Sequence, residues 1–463
     1  MSRTETLLDE AVDARENEDG STIIGTLLLD PLHPDFELIH DELNNDRIDA
    51  DDLVLEAFPN DEKDREWRKL YAELFQYIKF VDPRADRDPI TENIYLLRIL
   101  RWINAIFIHP RDRVTWFIPV YRKCVTYLMR SATAADAAMP DPRSIARREE
   151  LSITLQRPYS MVLNETTKPG ELPNRRGVIW FLASNMLQLS FEIDNTNLLG
   201  TIVKGAELRL DFLPEAPRAD QTMYHFWRGR GHLAAMRPAM AAKELTQAFA
   251  LCTNEVPSTK RTILIYATAA CLIIGRFPTQ PLLEHFGLSE QYSPIIMAIK
   301  KGDLTLFRTS MRRWRRWFGE RGLYLLLKER LEVLVWRSLI RRLWLLVAPR
   351  TQDGAIDISF YSKPIDSTNR KPSPSLSIDA ILAAIRWSSD DPSYTVIDVE
   401  SIVYSLIDQK YILGLYDDRA QKISMPRPTV EGVYPAFPPV ANAPLRESAE
   451  TFDDDSHRFD NET

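Results

Sequence analysis

Cysteine is scarce in this 463-residue chain: Cys124, Cys252 and Cys271 are its three thiols, and no two form a C-x-x-C pair. That excludes a disulfide framework and a cysteine-built metal knuckle. Each thiol sits in an apolar helical context, where it acts as a small buried hydrophobe, and a reducing compartment suits all three. Glycine is also low, at 16 residues. Together with long stretches of helical periodicity, this favours an all-α body over an α/β enzyme. No Walker loop and no G-x-S-x-G elbow occurs. The histidines are scattered; His225 and His232 could share a helix face, but no further ligands accompany them. The opening MSRTETLLDEAVDARENEDG is acidic and lacks an apolar core, so no secretory leader is expected. The longest apolar helix is interrupted by Glu332, Arg337, Arg341 and Arg342, so no membrane span is expected. Paired acids such as Asp390 and Asp391 lie in a loop. No catalytic constellation remains, and no enzyme, cofactor or metal site is expected.

What is present is helix, and positive charge gathered in one place. The formal net charge is −8. Yet the stretch from Lys300 to Val347, KKGDLTLFRTSMRRWRRWFGERGLYLLLKERLEVLVWRSLIRRLWLLV, is dense in Arg and Lys. Asp303 stands where a helix N-cap is expected. A helix follows, broken near Gly319 and Gly322, and a longer one starts at about Leu323. Leu323, Leu327, Leu331 and Leu334 fall on one stripe of it, and Arg330, Arg337 and Arg341 on another. It reads as a central helix, packed on both sides, with a cationic edge.

The length suggests two or three structural units. Residues 1–22 are polar and acidic and are expected to be disordered. Residues 23–160 form an N-terminal helical region. It contains an amphipathic helix ending before Pro83, two more at Ile90 to Phe107 and Val114 to Arg130, and a surface linker over residues 131–150. Residues 161–347 carry helix pairs, one of them broken at Arg237-Pro238. Repeated pairs without a strict period suggest a right-handed α-solenoid. Residues 348–377, rich in Pro, Ser and Asp, are a loop with strand character near Ile356 to Tyr361. Residues 378–425 give two helices and a two-stranded hairpin turning at Asp417 to Ala420, the outline of a winged helix. Residues 426–463 are Pro-rich, then acidic, and are expected to be disordered.

GRGHLA, from Gly229 to Ala234, fits the dinucleotide pattern G-x-G-x-x-A. A phosphate loop needs a strand before it and a helix after it. Here the context is helical throughout, and the two glycines read as a close approach between helices. The basic stretch is the main functional signal. Arg312, Arg313, Arg315, Arg316, Arg321, Lys328, Arg330, Arg337, Arg341 and Arg342 meet few acids, and Trp314, Trp317 and Trp336 are interleaved with them. Guanidinium groups bind phosphate oxygens bidentately, and exposed aromatics stack on unpaired bases. Three readings stay open: RNA or DNA, an acidic protein partner, or a solvated face over core tryptophans.

Residues from about Lys168 to Met425 resemble the PCI-domain family. The resemblance rests on FWRGRGHL with AFALC, KRTILIY, IGRFPTQPLL, IKKGDLTLF, ERGLYLLLKERLEVLVWRSLIRRLW and DVESIVYSLIDQKYILGLY, in that order and spacing. More narrowly, the chain resembles the branch holding the PCI subunit of the TREX-two mRNA-export complex and the twelfth-subunit-like protein of the COP-nine signalosome. The implied fold is mainly α: a right-handed helical-repeat superhelix followed by a C-terminal winged helix. The implied role is a non-enzymatic scaffold. It would pair with a second PCI-domain protein through its winged helix, at Val399, Ile402, Leu406, Tyr411, Leu413, Leu415 and Tyr416. It would also bind a small acidic, disordered subunit of the proteasome-lid type on the helices just before. The implied setting is a nuclear, transcription-coupled mRNA-export complex, with a cytoplasmic share and a basic surface offered to RNA or DNA. The alternative is a signalosome-associated interaction protein without nucleic-acid binding. Two features depart from the family pattern. The loop from Ala348 to Ser377 is longer than usual, and the wing turn Asp417-Asp418-Arg419-Ala420 carries acids that repel phosphate. No specific motif covers the chain up to about residue 160.

Overall fold

The computed structural model describes residues 2–45, 49–59, 64–85, 87–109, 114–141, 143–165, 175–352, 356–362, 373–428 and 435–442. The chain divides into two compact units, Met1–Arg228 and Gly229–Glu450. The first contains α1 (Arg3–Glu16), α2 (Gly20–Thr26), α3 (Pro34–Asn44), α4 (Ala50–Ala57), α5 (Arg65–Phe80), α6 (Pro89–Phe107), α7 (Ile118–Ala138), α8 (Ala146–Leu163), α9 (Ile179–Glu192) and α10 (Thr196–Glu207). The division falls within α11 (Arg218–Ala234). The second unit continues with α12 (Pro238–Leu251), α13 (Pro257–Ile273), α14 (Gln280–His285), α15 (Ser289–Lys301), α16 (Leu304–Arg313), α17 (Arg315–Gly319), α18 (Tyr324–Val347) and α19 (Ile358–Ser362). It closes with β1 (Ser375–Ser377), α20 (Ile378–Ser389), α21 (Val396–Asp408), β2 (Leu415–Asp417) and β3 (Lys422–Ser424). The architecture is thus mainly α, with a small sheet toward the C-terminal end.

In the first unit each helix from α5 to α9 packs on its successor. The N-terminal segment is a correction to the sequence reading: residues 3–16 are helical, not disordered. Their mean polarity hides a stripe, with Leu7, Leu8, Ala11 and Ala14 all buried. Ser2 and Glu5 form a capping box, and the Glu42 carboxylate accepts from the Arg3 and Thr4 backbone N–H groups at 2.9 Å each. Residues 131–150 are likewise not a linker. The Ala-rich run extends α7 to Ala138, burying Ala132 and Ala135, and α8 starts at Ala146. The buried Asp136 carboxylate joins the two helices, accepting from the Arg147 and Arg148 N–H groups and from Arg148 Nε at 2.8 Å.

In the second unit α18 is the central element. It packs against α13, α15, α16, α20 and α21, and Leu323, Leu327, Leu331 and Leu334 are all buried. Fully burying each such leucine stabilises the fold by roughly 1.5–3 kcal/mol. Asp303 caps α16, its carboxylate accepting from the Leu306 N–H at 2.8 Å. GRGHLA lies in α11, with no strand ahead of it among the described residues. A Cβ at Gly229 would meet the Leu245 side chain at 2.7 Å, so this glycine permits the close approach of α12. The sheet has the order β1-β3-β2, antiparallel throughout, and the fully buried Ile423 faces Leu376 on one side and Tyr416 on the other. Ser377 caps α20, and Thr395 with Asp398 forms a capping box on α21.

Three further differences from the sequence reading lie here. The sheet has three strands where two were expected, because β1 is too short to show alternation. Residues 356–361 give a single bridge, Arg350 with Ile356, and then the turn of α19. There the Asp357 carboxylate accepts from Ser359 Oγ and the Phe360 N–H. Residues 435–442 of the expected disordered tail are ordered. The Leu413 N–H donates to the Ala436 carbonyl at 2.8 Å, and the buried Phe437 ring lies 6.0 Å from that of Trp344. Of the same two expected regions, residues 353–355, 363–372, 429–434 and 443–463 lie outside the described residues.

Candidate partner and nucleic-acid surfaces

The ten cations singled out from the sequence separate into distinct environments. Arg312 and Arg313 occupy the last turn of α16, where a positive side chain complements the free carbonyls. With Arg315 and Arg316 on α17 they form an exposed group. Among the described residues no carboxylate pairs with Arg312, Arg313 or Arg315, while Arg316 meets Glu320 at 2.9 Å in the open, its own side chain 93% exposed. Such an exposed pair contributes little and is readily exchanged. Arg313 lies 5.6 Å from the Trp314 ring and Arg315 5.8 Å from that of Tyr324.

Arg321 is held more firmly. It donates to the Trp317 carbonyl at 2.7 Å and covers the Trp317 ring at 4.2 Å. Trp317 in turn packs edge-on to Tyr292, Trp314 and Phe318. Trp314, Trp317 and Trp336 are each half-buried. Lys328 is exposed, and Arg330 and Arg341 are half-buried. Arg342 is exposed and donates to the Lys301 carbonyl at 2.9 Å.

Arg337 corrects the sequence reading. It does not project from a nucleic-acid surface but is anchored inward, donating to the carbonyls of Tyr411, Phe437 and Pro438, the last at 2.6 Å. Burial, and then the charge of Arg341, lowers its pKa to about 10.

Polar contacts join the winged helix to the helices before it. Arg308 donates to the Glu332 carboxylate and to the Tyr394 hydroxyl, bridging α16, α18 and the α20–α21 turn. Burial opposes the Arg308 charge, and the bonds to Tyr394 and Glu332 outweigh it, so its pKa is raised. Ser388 donates to the Gly302 carbonyl at 2.7 Å and accepts from the Leu304 N–H at 2.9 Å.

The residues assigned to partner binding split in the same way. Val399, Ile402, Leu406 and Tyr411 are buried in the lobe's own core, so they hold the winged helix together and are not available to a partner. Leu413 and Tyr416 are half-buried, and Leu415 is 78% exposed on β2, an edge strand. The sequence reading missed the outer face of α21, where Ile397 is 72% and Tyr404 53% exposed. Tyr404 packs edge-on to Tyr416, whose hydroxyl donates to Glu400 at 2.5 Å, so this face runs into β2. Large apolar side chains standing outward at the i and i+7 positions of α21 are the available signal. A separate apolar groove of about 340 Å³ lies between α18 and α20, lined by Leu343, Leu346, Ala384 and Trp387, with Lys301 and Arg342 also on its wall.

Among the described residues no three His, Cys, Asp or Glu side chains are grouped as metal ligands would be. Among the same residues no helix is long and apolar enough to cross a membrane. Cys124 is buried, and burial lifts its thiol to about 12.

No family model matches the chain. A PCI domain-containing protein of Schizosaccharomyces pombe is 26% identical over 410 residues, 86% of this chain and 87% of that one. The Xenopus laevis protein named PCI domain-containing protein 2 is 22% identical over 358 residues, 76% of this chain and 82% of its own length. A Neurospora crassa protein named Protein CSN12 homolog is 26% identical over 211 residues, covering 44% of this chain and 46% of the relative.

Proposed function

This chain belongs to the PCI-domain family, and on that premise we propose that it is a non-enzymatic scaffold subunit of a nuclear mRNA-export complex of the TREX-two type. The winged helix meets a second PCI-domain protein through the outer face of α21 and the edge strand β2. The groove beside Trp387, with Lys301 and Arg342 on its wall, suits a small acidic disordered subunit. The exposed arginines of α16 and α17 meet RNA or DNA.

One observation carries the nucleic-acid part: four adjacent guanidiniums stand exposed, and among the described residues the one carboxylate paired with them is that of Glu320. Phosphate contacts of this kind give strong, salt-sensitive affinity without base readout. The acidic wing turn argues against insertion of the wing into a groove. Replacing Arg312, Arg313, Arg315 and Arg316 together by Glu is expected to abolish binding to single-stranded RNA in a gel-shift assay, with an unchanged circular-dichroism spectrum. Wild-type binding by that variant would sink the assignment. A second reading, a signalosome-associated interaction protein without nucleic-acid binding, is favoured by the relatives named Protein CSN12 homolog, and would follow if the wild-type chain itself bound no single-stranded RNA.

A further inference from the structure

The ordered C-terminal segment closes one side of a half-open cavity of about 450 Å³ against α15, α18 and the turn after α13. Five cations line it: Arg276, Lys300, Arg337, Arg341 and Arg342. No Asp or Glu does, and Pro439, Val440 and Ala441 complete the wall. Val440 fits there because residue 275 is glycine, where a Cβ would stand 2.6 Å from the Val440 side chain. Among the described residues no carboxylate bonds to Arg276, Lys300, Arg337 or Arg342. Arg337 and Arg342 donate to backbone carbonyls, and Lys300 Nζ lies 5.2 Å from the Phe277 ring. Such partners satisfy N–H groups but leave the charges uncancelled. Cations of one sign around a low-dielectric wall focus a positive potential into the space between them. Burial first, and then the Arg341 charge, lowers the pKa of Arg337.

We propose that this cavity binds a compact anion carrying two or more phosphate groups. Its volume falls in the range of small-molecule sites, roughly 300–1,000 Å³. Planar guanidinium forks match phosphate oxygens bidentately, and the Ser338 hydroxyl on the wall adds a neutral hydrogen-bonding group. A single phosphate answers few of the charges of Arg276, Lys300, Arg337 and Arg342, and the Pro439–Ala441 wall leaves little path for an extended strand. The site is separate from the exposed arginines of α16 and α17 and does not rest on the nucleic-acid reading. Because the wall includes the C-terminal segment, occupancy fastens that segment to α18.

Calorimetric titration of the full chain with sodium tripolyphosphate, at matched ionic strength, tests this. Saturable one-to-one binding is expected, at least about tenfold tighter than for orthophosphate, since each added charge-assisted contact contributes about that factor. Arg276→Gln with Lys300→Gln weakens it by about tenfold or more, while Arg312→Gln with Arg313→Gln leaves it unchanged. If the first pair proves unstable on melting, the exposed Lys300→Gln alone carries the comparison. Phosphatidylcholine vesicles with and without a bisphosphorylated phosphoinositide form a second arm. Sedimentation that requires that lipid, and that Lys300→Gln weakens, makes a lipid headgroup the source of the anion. Absence of saturable binding in both arms overturns the proposal. So does equal weakening by both pairs, or binding to single-stranded RNA at this wall with none of tripolyphosphate. Tripolyphosphate binding seen only after Asp453, Asp454 and Asp455 are changed to Asn also overturns it, because the chain's own acidic end is then the occupant.

Discussion

Glu92 stands near the start of α6 with its carboxylate withdrawn from water, accepting a hydrogen bond from the Tyr127 hydroxyl at 3.2 Å. Burial raises its pKa above the ordinary 4.5, against the pull of the Arg87 charge and the Tyr127 bond. A carboxyl whose folded pKa is raised binds its proton more tightly in the folded state. Its contribution is therefore full below the unfolded pKa and is lost as pH rises through the folded one. Glu92→Gln, which imitates the protonated form, is expected to raise the Tm of the first unit at pH 7 by about 2–4 °C, the shift that about 1 kcal/mol gives a unit of this size. The gain should fade on going to about pH 4; a constant gain, or a loss at pH 7, would show that burial does not govern this group. At the same scale, the exposed arginines of α16 and α17 were legible as a dense run. Arg337 was not. Periodicity places it on the stripe of Arg330 and Arg341, but what it meets, the carbonyls of Phe437 and Pro438, arrives from one hundred residues further along the chain.

Among the elements, α18 was the most legible, because four leucines at helical spacing and a capped preceding helix agree with one another. The turn into α16 was less so. Gly302 has φ +69°, and a Cβ there would stand 2.6 Å from the Leu339 backbone, so the glycine brings the α15–α16 turn directly onto α18. The Gly302 carbonyl also receives the Ser388 hydroxyl. Gly302→Ala therefore combines left-handed strain with a backbone clash, at a cost of about 1–3 kcal/mol. In differential scanning calorimetry it is expected to lower the Tm of the second unit by several degrees, about 4–8 °C for a loss near 2 kcal/mol. An unchanged melt would mean that the close contact with Leu339 is not sustained. The elements that composition concealed were α1 and the α7–α8 turn. Their acidic and alanine-rich segments look unstructured on average, and burial of a narrow stripe, with Asp136 pinned by Arg147 and Arg148, decides otherwise.

At the scale of the whole molecule, the fold class was legible: helices in succession, then a winged helix. That order is a matter of periodicity and turn residues, which the sequence carries locally. The proposed partner surface was legible only in part, because apolar residues read alike whether they fill a lobe or stand on it. Val399 and Leu406 turned out to be core, and Ile397 and Tyr404, unnoticed, stand outward. The account's central claim is that this outer face joins the chain to a second PCI-domain protein. It is tested most directly by purifying the tagged full chain from its own cells, with co-purifying proteins identified and quantified by mass spectrometry. The account predicts that a second PCI-domain protein co-purifies and that Ile397→Asp with Leu415→Asp removes it at an unchanged Tm. Recovery of that partner at the wild-type level by the double variant, or of no PCI-domain protein by the wild type, would contradict it.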